Sequence, residues 1–320
     1  MLNYFLVFLI SLAVSLVIGF PILNICRKLK MSQTILHYVD KHKEKNGTPT
    51  MGGWIFILPC FVSLIFVKND FYLAFLALIV MFSYAMLGFL DDFIKIKNKK
   101  NEGLKPYQKI IGQVGIALIV SIFSYFRIGT TLTFFGLEIN LGIFIIPFIL
   151  IFFVAVTNSV NLIDGLDGLA CGVSQYYLLF FGIIIALIGQ YDFSMIAFAM
   201  TGALFGFKLF NCYPAKIFMG DTGSLGLGGL IAVIAVFTKT ELILPLIGFM
   251  YLLTALSDIL QVGYYKMTHK RIFKMAPLHH HFEKSGVNEN RIVTIYIVIT
   301  IVLGLTTLMG YMAAIGVLWN

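Results

Sequence analysis

Residues 71–95 of the chain read FYLAFLALIVMFSYAMLGFLDDFIK. The uncharged part, 71–90, is long enough to cross a bilayer as a helix, since a crossing takes about 17 to 25 apolar residues. Two adjacent aspartates follow at once, and Lys95 comes one helical turn later. This stretch therefore predicts a membrane-spanning helix that ends in a pair of carboxylates.

The whole chain is composed in the same way. Its 320 residues are 59% hydrophobic and 12% charged, with a mean hydropathy of +0.94, which is more apolar surface than a soluble domain of this size buries. We predict an all-α polytopic membrane protein that forms one domain over 1–320, with a short external hairpin near 127–140, where Thr, aromatic and Gly residues alternate. About ten transmembrane helices are expected, at 2–26, 51–67, 71–90, 110–126, 142–159, 169–189, 193–210, 223–238, 242–262 and 292–318.

The lysines and arginines predict the orientation, because positive residues stay in the cytoplasm when short loops are partitioned. Segments 27–50, 91–109, 208–222 and 264–291 hold 20 of the 23, and only Lys68, Arg127 and Lys239 fall on the other side. Both termini are therefore expected outside the cytoplasm. The net charge of +8 follows largely from this bias and from attraction to anionic lipid, so nucleic-acid binding is not predicted.

Five aspartates then fall at the cytoplasmic ends of apolar runs: Asp91, Asp92, Asp164, Asp167 and Asp221. Adjacent carboxylates such as the first two repel each other, and a cation offsets that repulsion. Mg²⁺ prefers a few carboxylates together with substrate phosphate oxygens, so these acids indicate a metal and phosphate site. The alternative for the first pair is a solvated helix end that pairs with Lys95.

The second and third acidic segments carry further polar groups. Residues 158–169 read NSVNLIDGLDGL, whose Asp-Gly pairs favour tight turns, while its asparagines and aspartates could hold a metal's water shell or a nucleotide base. Residues 211–224 read NCYPAKIFMGDTGS and lead into a glycine-rich helix. Asp221 or Ser224 is a candidate cap for that helix, and its free N–H groups can bind an anion. The glycines at 223, 226, 228 and 229 indicate close helix packing.

A fourth segment, 276–284, reads APLHHHFEK within a basic loop. Consecutive histidines cannot all point into one site, so one or two of them are expected to do chemistry, with phosphate hydrogen bonding favoured over zinc. Asp258, an acid inside the ninth apolar run, is a further functional candidate.

Together the segments Gly47–Gly53, Asp91-Asp92 with Lys95, Asn161–Gly168, Phe218–Ser224 and His279–Phe282 occur in the order and spacing of a known family. The chain resembles, over essentially its whole length, the polyprenyl-phosphate N-acetylhexosamine-1-phosphate transferases, in particular those that transfer phospho-N-acetylmuramoyl-pentapeptide. Val287 and Asp258 depart from the family's usual residues, outside the motifs.

The resemblance implies transfer of phospho-N-acetylmuramoyl-pentapeptide from its UDP carrier to undecaprenyl phosphate, releasing UMP and forming lipid I for peptidoglycan. It also implies Mg²⁺ as cofactor, a homodimer, and a multi-pass protein of the bacterial plasma membrane whose active site is cytoplasmic. A sibling transferase that uses UDP-N-acetylglucosamine remains an alternative, as does a membrane transporter, although a transporter's acids are expected near the bilayer midplane.

Carried onto matching positions, the resemblance predicts Asp221 and Asp92 as metal ligands, with Asp91 beside them and His280 in the catalytic group. Uracil is expected against Phe218. The other predicted substrate-binding residues are Lys45, Thr50, Lys95, Lys109, Asn161, Asp164, Gly165, Leu166, Asp167, Asn211, His279 and His281. A lipid phosphate monoester is already mostly a dianion at neutral pH, which favours direct in-line attack over an aspartyl-phosphate intermediate.

Overall fold

The computed structural model describes residues 2–29, 31, 47–98 and 103–316. Its helices are α1 (Leu2–Lys28), α2 (Trp54–Cys60), α3 (Phe71–Asn98), α4 (Pro106–Arg127), α5 (Ile145–Ile163), α6 (Leu169–Leu187), α7 (Tyr191–Asn211), α8 (Gly220–Thr238), α9 (Leu244–Ile247), α10 (Phe249–Thr268), α11 (Leu278–Lys284) and α12 (Glu289–Ala314). Two short strands, β1 (Thr131–Phe134) and β2 (Leu137–Asn140), lie between α4 and α5.

The all-α polytopic prediction is confirmed, although fewer helices qualify as spans than the apolar segments suggest. In the described ranges, 8 helices are long and apolar enough to cross a membrane, namely α1, α3, α4, α5, α6, α7, α8 and α12. The helix at Trp54–Ile65 is too short, since α2 and the 3₁₀ helix that follows it, Phe61–Ile65, would cover only about 20 Å of a hydrocarbon core about 30 Å thick. The predicted 242–262 segment is divided at Gly248 into α9 and α10, and α10 contains Asp258 and Lys266.

Helix α8 lies at the centre of the bundle, and 18 of its residues are buried. Glycines allow the neighbouring helices to pack closely against α8, because a Cβ on Gly228 would lie 2.7 Å from the Cα of Thr157 in α5. A Cβ on Gly229 would lie 2.6 Å from the ring of Tyr84 in α3. The prediction that these glycines serve close helix packing is therefore confirmed.

The predicted hairpin is also present. Its strands pair antiparallel with Thr131 opposite Asn140 and Phe134 opposite Leu137. The two-residue turn places Phe135 at φ 47° and Gly136 at φ 85°, as a type I′ turn requires. The Lys239 ammonium, just after α8, donates to Thr131 Oγ1 at 2.9 Å and ties the hairpin to the end of α8.

Candidate functional site

Three carboxylates meet where the end of α3 crosses the start of α8. Asp91, Asp92 and Asp221 each offer one oxygen, and these atoms lie within 4.8 Å of one another. The two helices approach this closely because Gly88 and Gly220 have no side chain. A Cβ on Gly220, whose φ is +74°, would lie 2.6 Å from Asp92 Oδ2, and a Cβ on Gly88 would overlap the Asp221 carbonyl.

Two lysines offset most of this negative charge. Lys95 Nζ lies 2.6 Å from Asp91 Oδ2 and 2.8 Å from Asp221 Oδ2, and Lys109 Nζ lies 3.0 Å from the same Asp221 oxygen. Lys95 thus pairs with Asp91, which agrees with one part of the alternative interpretation, a solvated helix end paired with Lys95. Both aspartates of α3 are buried, however, so the helix end is not solvated.

Asn161, at the end of α5, brings the second acidic segment to the same place. Its amide nitrogen lies 2.6 Å from Asp221 Oδ1 and 2.8 Å from Ser224 Oγ, and its oxygen accepts from Lys109 Nζ at 3.3 Å. Asp221 is therefore held by three side chains that come from α3, α4 and α5.

Asp92 caps the N-terminus of α8, a role that the sequence indicated for Asp221 or Ser224. Its carboxylate accepts from the backbone N–H groups of Asp221, at 3.2 Å, and Thr222, at 2.9 Å. It also accepts from the Thr222 hydroxyl at 2.7 Å. The capping prediction was wrong because the acceptor comes from another helix. Thr222 itself was missed, although its place beside Asp221 in the motif was a signal.

The turn between α5 and α6 carries Asp164, Gly165, Leu166 and Asp167. Asp167 is buried: its N–H donates to Glu289 Oε1 at 2.7 Å, and its Oδ2 accepts from the Ala215 N–H at 2.9 Å. Burial, with the nearby carboxylates of Asp221, Asp92 and Asp167, raises the pKa of Asp164 to about 8. The turn thus joins α12 and the 211–219 segment to the acidic cluster.

Helix α11 places two histidines directly on this turn. A Cβ on Gly165 would lie 3.0 Å from His280 Nε2 and would overlap His279 Nε2. His280 Nδ1 is paired with Glu283 Oε2 at 3.1 Å. His281 lies elsewhere, because its Nδ1 accepts from the Lys274 N–H at 3.1 Å. The structure thus brings two of the three histidines to the turn that carries Asp164 and Asp167.

His279 is fully buried, and neither ring nitrogen has a hydrogen-bond partner among the described residues. Burial and the neighbouring His280 hold the pKa of His279 well below its usual range, so its imidazole is neutral.

The Gly47–Gly53 segment lies against the Phe218 segment. The Phe218 N–H donates to the Pro49 carbonyl at 2.8 Å, and its carbonyl accepts from the Gly52 N–H at 2.9 Å. Thr50 is buried beside Asp92 and Gly220, and its hydroxyl has no partner in the described part of the chain. Asn211 donates to the Ile217 carbonyl at 3.1 Å, while its own side-chain oxygen is buried and has no partner among the residues that the structure describes. Lys45 lies outside the described residues.

The donor set fits a divalent cation that works with phosphate. Carboxylate oxygens are hard ligands that suit Mg²⁺, and a few of them with substrate phosphates complete its shell. The Thr50 hydroxyl, which has no hydrogen-bond partner among the described residues, adds a neutral oxygen beside Asp92. Ammonium groups next to these carboxylates suit phosphate oxygens. A helical membrane protein with this site belongs to the class of membrane-bound transferases that act on phosphate esters.

The family comparison agrees with this class. A model of glycosyl transferase family 4 matches residues 72–239. A phospho-N-acetylmuramoyl-pentapeptide-transferase of Clostridium novyi (strain NT) is 42% identical over 313 residues, which cover 96% of this chain and 95% of that protein. Proteins with the same name from Clostridium perfringens (strain 13 / Type A) and Clostridioides difficile (strain 630) are each 45% identical, over 297 and 302 residues, and cover 92% of this chain and 94% of their own. The chain belongs to glycosyl transferase family 4 and, within it, to the phospho-N-acetylmuramoyl-pentapeptide transferases.

Proposed function

We propose that the protein transfers phospho-N-acetylmuramoyl-pentapeptide from its UDP carrier to undecaprenyl phosphate, which releases UMP and forms lipid I for peptidoglycan synthesis. The single observation that carries this proposal is the meeting of Asp91, Asp92 and Asp221 with two lysines at one end of the helical bundle. The names of relatives at 42 to 45% identity support the choice of substrate.

The first chemical problem is repulsion between two anionic substrates. Asp221 and Asp92, with Asp91 beside them, would hold Mg²⁺, which when bound supplies Lewis acidity that offsets the charge developing on the leaving UMP. Lys95 and Lys109 already lie within about 3 Å of Asp221, so their ammonium groups are placed to donate to phosphate oxygens that enter the same site.

The second problem is the nucleophile. An oxygen of the lipid phosphate attacks the phosphorus that bears the sugar, and the bond from that phosphorus to UMP breaks with the electron pair leaving on UMP. The second pKa of a phosphate monoester is about 6, so the attacking oxygen needs little activation at neutral pH. Asp91, held by Lys95 and by the Leu104 N–H at 2.8 Å, orients the lipid phosphate or takes a residual proton.

The nucleotide would lie against Phe218 and the turn from Asp164 to Asp167. Buried polar atoms without partners favour this place, since leaving such atoms unpaired is costly unless a ligand completes them. Within the described ranges, the Asn211 side-chain oxygen and both nitrogens of His279 are such atoms. His280, paired with Glu283, would donate to phosphate, and His281 would position the segment rather than contact substrate.

The site would face the cytoplasm of the bacterial plasma membrane, because the loops at this end of the helices carry 20 of the 23 Lys and Arg residues. Both termini would then lie outside. We propose further that 1–320 forms one transferase domain and that the enzyme works as a homodimer.

The test is UMP release by purified protein supplied with UDP-N-acetylmuramoyl-pentapeptide, undecaprenyl phosphate and Mg²⁺. Release is expected only when all three are present. Equal release with UDP-N-acetylglucosamine would instead assign the sibling activity, and no release with either donor would favour a transporter. Labelled sugar phosphate trapped on the protein without acceptor lipid would replace direct attack with a covalent intermediate.

A further inference from the structure

A cavity of about 590 Å³ lies beside α10, outside the residues assigned to transfer. One wall is the face of α10 from Asp258 to Lys266. The other wall is the segment that connects α10 to α11, together with the end of α11. The described residues that matter for its chemistry are Asp258, Gln261, Lys266, Arg271, Ala276 and Lys284.

The lining of the cavity is positively charged. Lys266, Arg271 and Lys284 form no ion pair with any carboxylate in the described ranges. Within the described part of the chain, the Arg271 guanidinium makes one hydrogen bond, to the Lys274 carbonyl at 3.4 Å. Asp258 is the one acid among the described lining residues, so the formal charge of the lining is +2. Three cations against one acid leave the described lining with an excess of positive charge, which fits an anionic ligand.

The surroundings of the cavity are apolar. On α10, Ile259 is 65% exposed, Leu260 is 56% exposed and Met267 is 78% exposed, so this helix presents a broad hydrocarbon surface outside the bundle. Tyr265 lines the cavity next to Lys266, and tyrosines and basic residues together are typical of the level of lipid headgroups. A ligand with an anionic head and apolar tails matches both features.

We propose that this cavity binds the headgroup of an anionic phospholipid from the same leaflet that the active site faces. The phosphodiester would lie among Lys266, Arg271 and Lys284, and the acyl chains would follow the apolar face of α10. Arginine can form two parallel hydrogen bonds with phosphate oxygens, which a lysine cannot. The carboxylate of Asp258 in the same lining favours a phosphodiester with one charge over a phosphate monoester with two, and so disfavours the acceptor lipid here.

The cavity is connected to the histidines of the transfer site. Gln261, a lining residue, accepts from the N–H groups of Ile272, at 3.1 Å, and Phe273, at 2.9 Å. Ser257, one turn earlier on α10, accepts from the Leu278 N–H at 3.0 Å at the start of α11. A headgroup bound to both walls would hold this segment against α10 and so steady the histidines that lie on Gly165. Bound phospholipid is therefore expected to raise the rate of transfer.

The primary test measures lipid binding and needs no activity. Purified, delipidated protein is titrated with phosphatidylglycerol and read by intact mass spectrometry. The triple variant Lys266→Gln, Arg271→Gln, Lys284→Gln is expected to bind about 100-fold more weakly, since each basic residue near the surface is worth about fivefold. A matched control, Lys28→Gln, Lys97→Gln, Lys270→Gln, removes the same charge outside the cavity and should titrate like the unchanged protein. Equal binding by both triple variants overturns the proposal.

Two further measurements complete the test. Ala276→Trp fills the cavity with its charges intact and should also abolish binding, which decides the matter if the triple variant does not fold. In nanodiscs, adding phosphatidylglycerol to phosphatidylcholine should raise UMP release by the unchanged protein but not by the triple variant. If the triple variant instead raises the KM for undecaprenyl phosphate in phosphatidylcholine alone, the cavity belongs to the acceptor and the proposal is overturned.

Discussion

Replacing Asp221 with asparagine removes one carboxylate from the acidic cluster and keeps the shape of the side chain. Asp221 accepts from Lys95 at 2.8 Å, from Lys109 at 3.0 Å and from Asn161 at 2.6 Å. We expect turnover to fall at least about 1,000-fold, because a correctly held divalent cation contributes several kcal/mol to the transition state and about 4 kcal/mol corresponds to that factor.

The fold is expected to survive this change, because two effects on stability oppose each other. The variant loses two charge-assisted hydrogen bonds, each worth about 1.5 to 3 kcal/mol. It also loses the repulsion between Asp221 and two carboxylates within 4.8 Å, each worth about 3 kcal/mol at an effective dielectric constant of about 20. The net change in the free energy of unfolding should stay within about 3 kcal/mol, which is a shift in Tm of at most about 12 °C.

The assay follows UMP release as Mg²⁺ is titrated, with Tm measured on the same preparations. The control is Asp70→Asn at the other end of α3, where Asp70 Oδ1 accepts from the Leu73 N–H at 3.0 Å and asparagine caps a helix equally well. This control should keep both activity and Tm. Full turnover by the Asp221 variant would show that the cation is held elsewhere, and a collapse of its Tm would refute the expected balance of charges.

Three other predictions concern the turn and the histidines that surround the cluster. His280→Ala should lower kcat about 100-fold, which is less than the effect of Asp221→Asn, because it removes a hydrogen-bond donor to phosphate and no metal ligand. An unchanged kcat would show that α11 has only a structural role. Gly165→Ala should lower the rate of transfer more than tenfold, roughly the effect of displacing a reacting group, because its Cβ would push His279 and His280 away. The control Gly115→Ala, whose Cβ meets no described atom within 4 Å, should be harmless, and equal activities of the two variants would contradict this packing. The pKa of Asp164, raised from 3.8 to about 8 on folding, means that the folded state binds the proton more tightly, so the stability this neutral carboxyl contributes is present at low pH and lost as pH rises towards 8. In EDTA, Tm should therefore fall between pH 5 and 8 more for the unchanged protein than for Asp164→Asn, and parallel curves would show that Asp164 does not titrate there.

Much of the fold was predictable because its causes are local. The length of an apolar run sets whether it crosses hydrocarbon, and that rule found every long helix from α3 to α8. The hairpin followed from alternation and from the glycine at position 136. Two of the ten predicted spans, at α2 and α10, are not among the eight candidate spans of the described ranges, because the first is too short and the second contains Asp258 and Lys266.

The candidate site was predictable as a set of residues but not as a set of contacts. Asp91, Asp92 and Asp221 were expected together because topology places the ends of their helices on one side. That Asp92 would cap α8 through Thr222 was not expected, because these residues are 130 positions apart and no local pattern links them. Which histidine points away from the site could not be predicted either, because the direction of the His281 ring depends on a hydrogen bond from the Lys274 N–H.

The amino-acid sequence alone determined that the chain lies in a membrane, that Asp91, Asp92 and Asp221 share one end of the helices and which family its motifs resemble. These properties depend on hydropathy, charge and spacing, all of which are written along the chain. Only the tertiary structure decided which carboxylate accepts a hydrogen bond from which donor, since that depends on how closely α3 and α8 cross. Glycines 88 and 220 permit that approach, and without it the acids of the two helices would not meet.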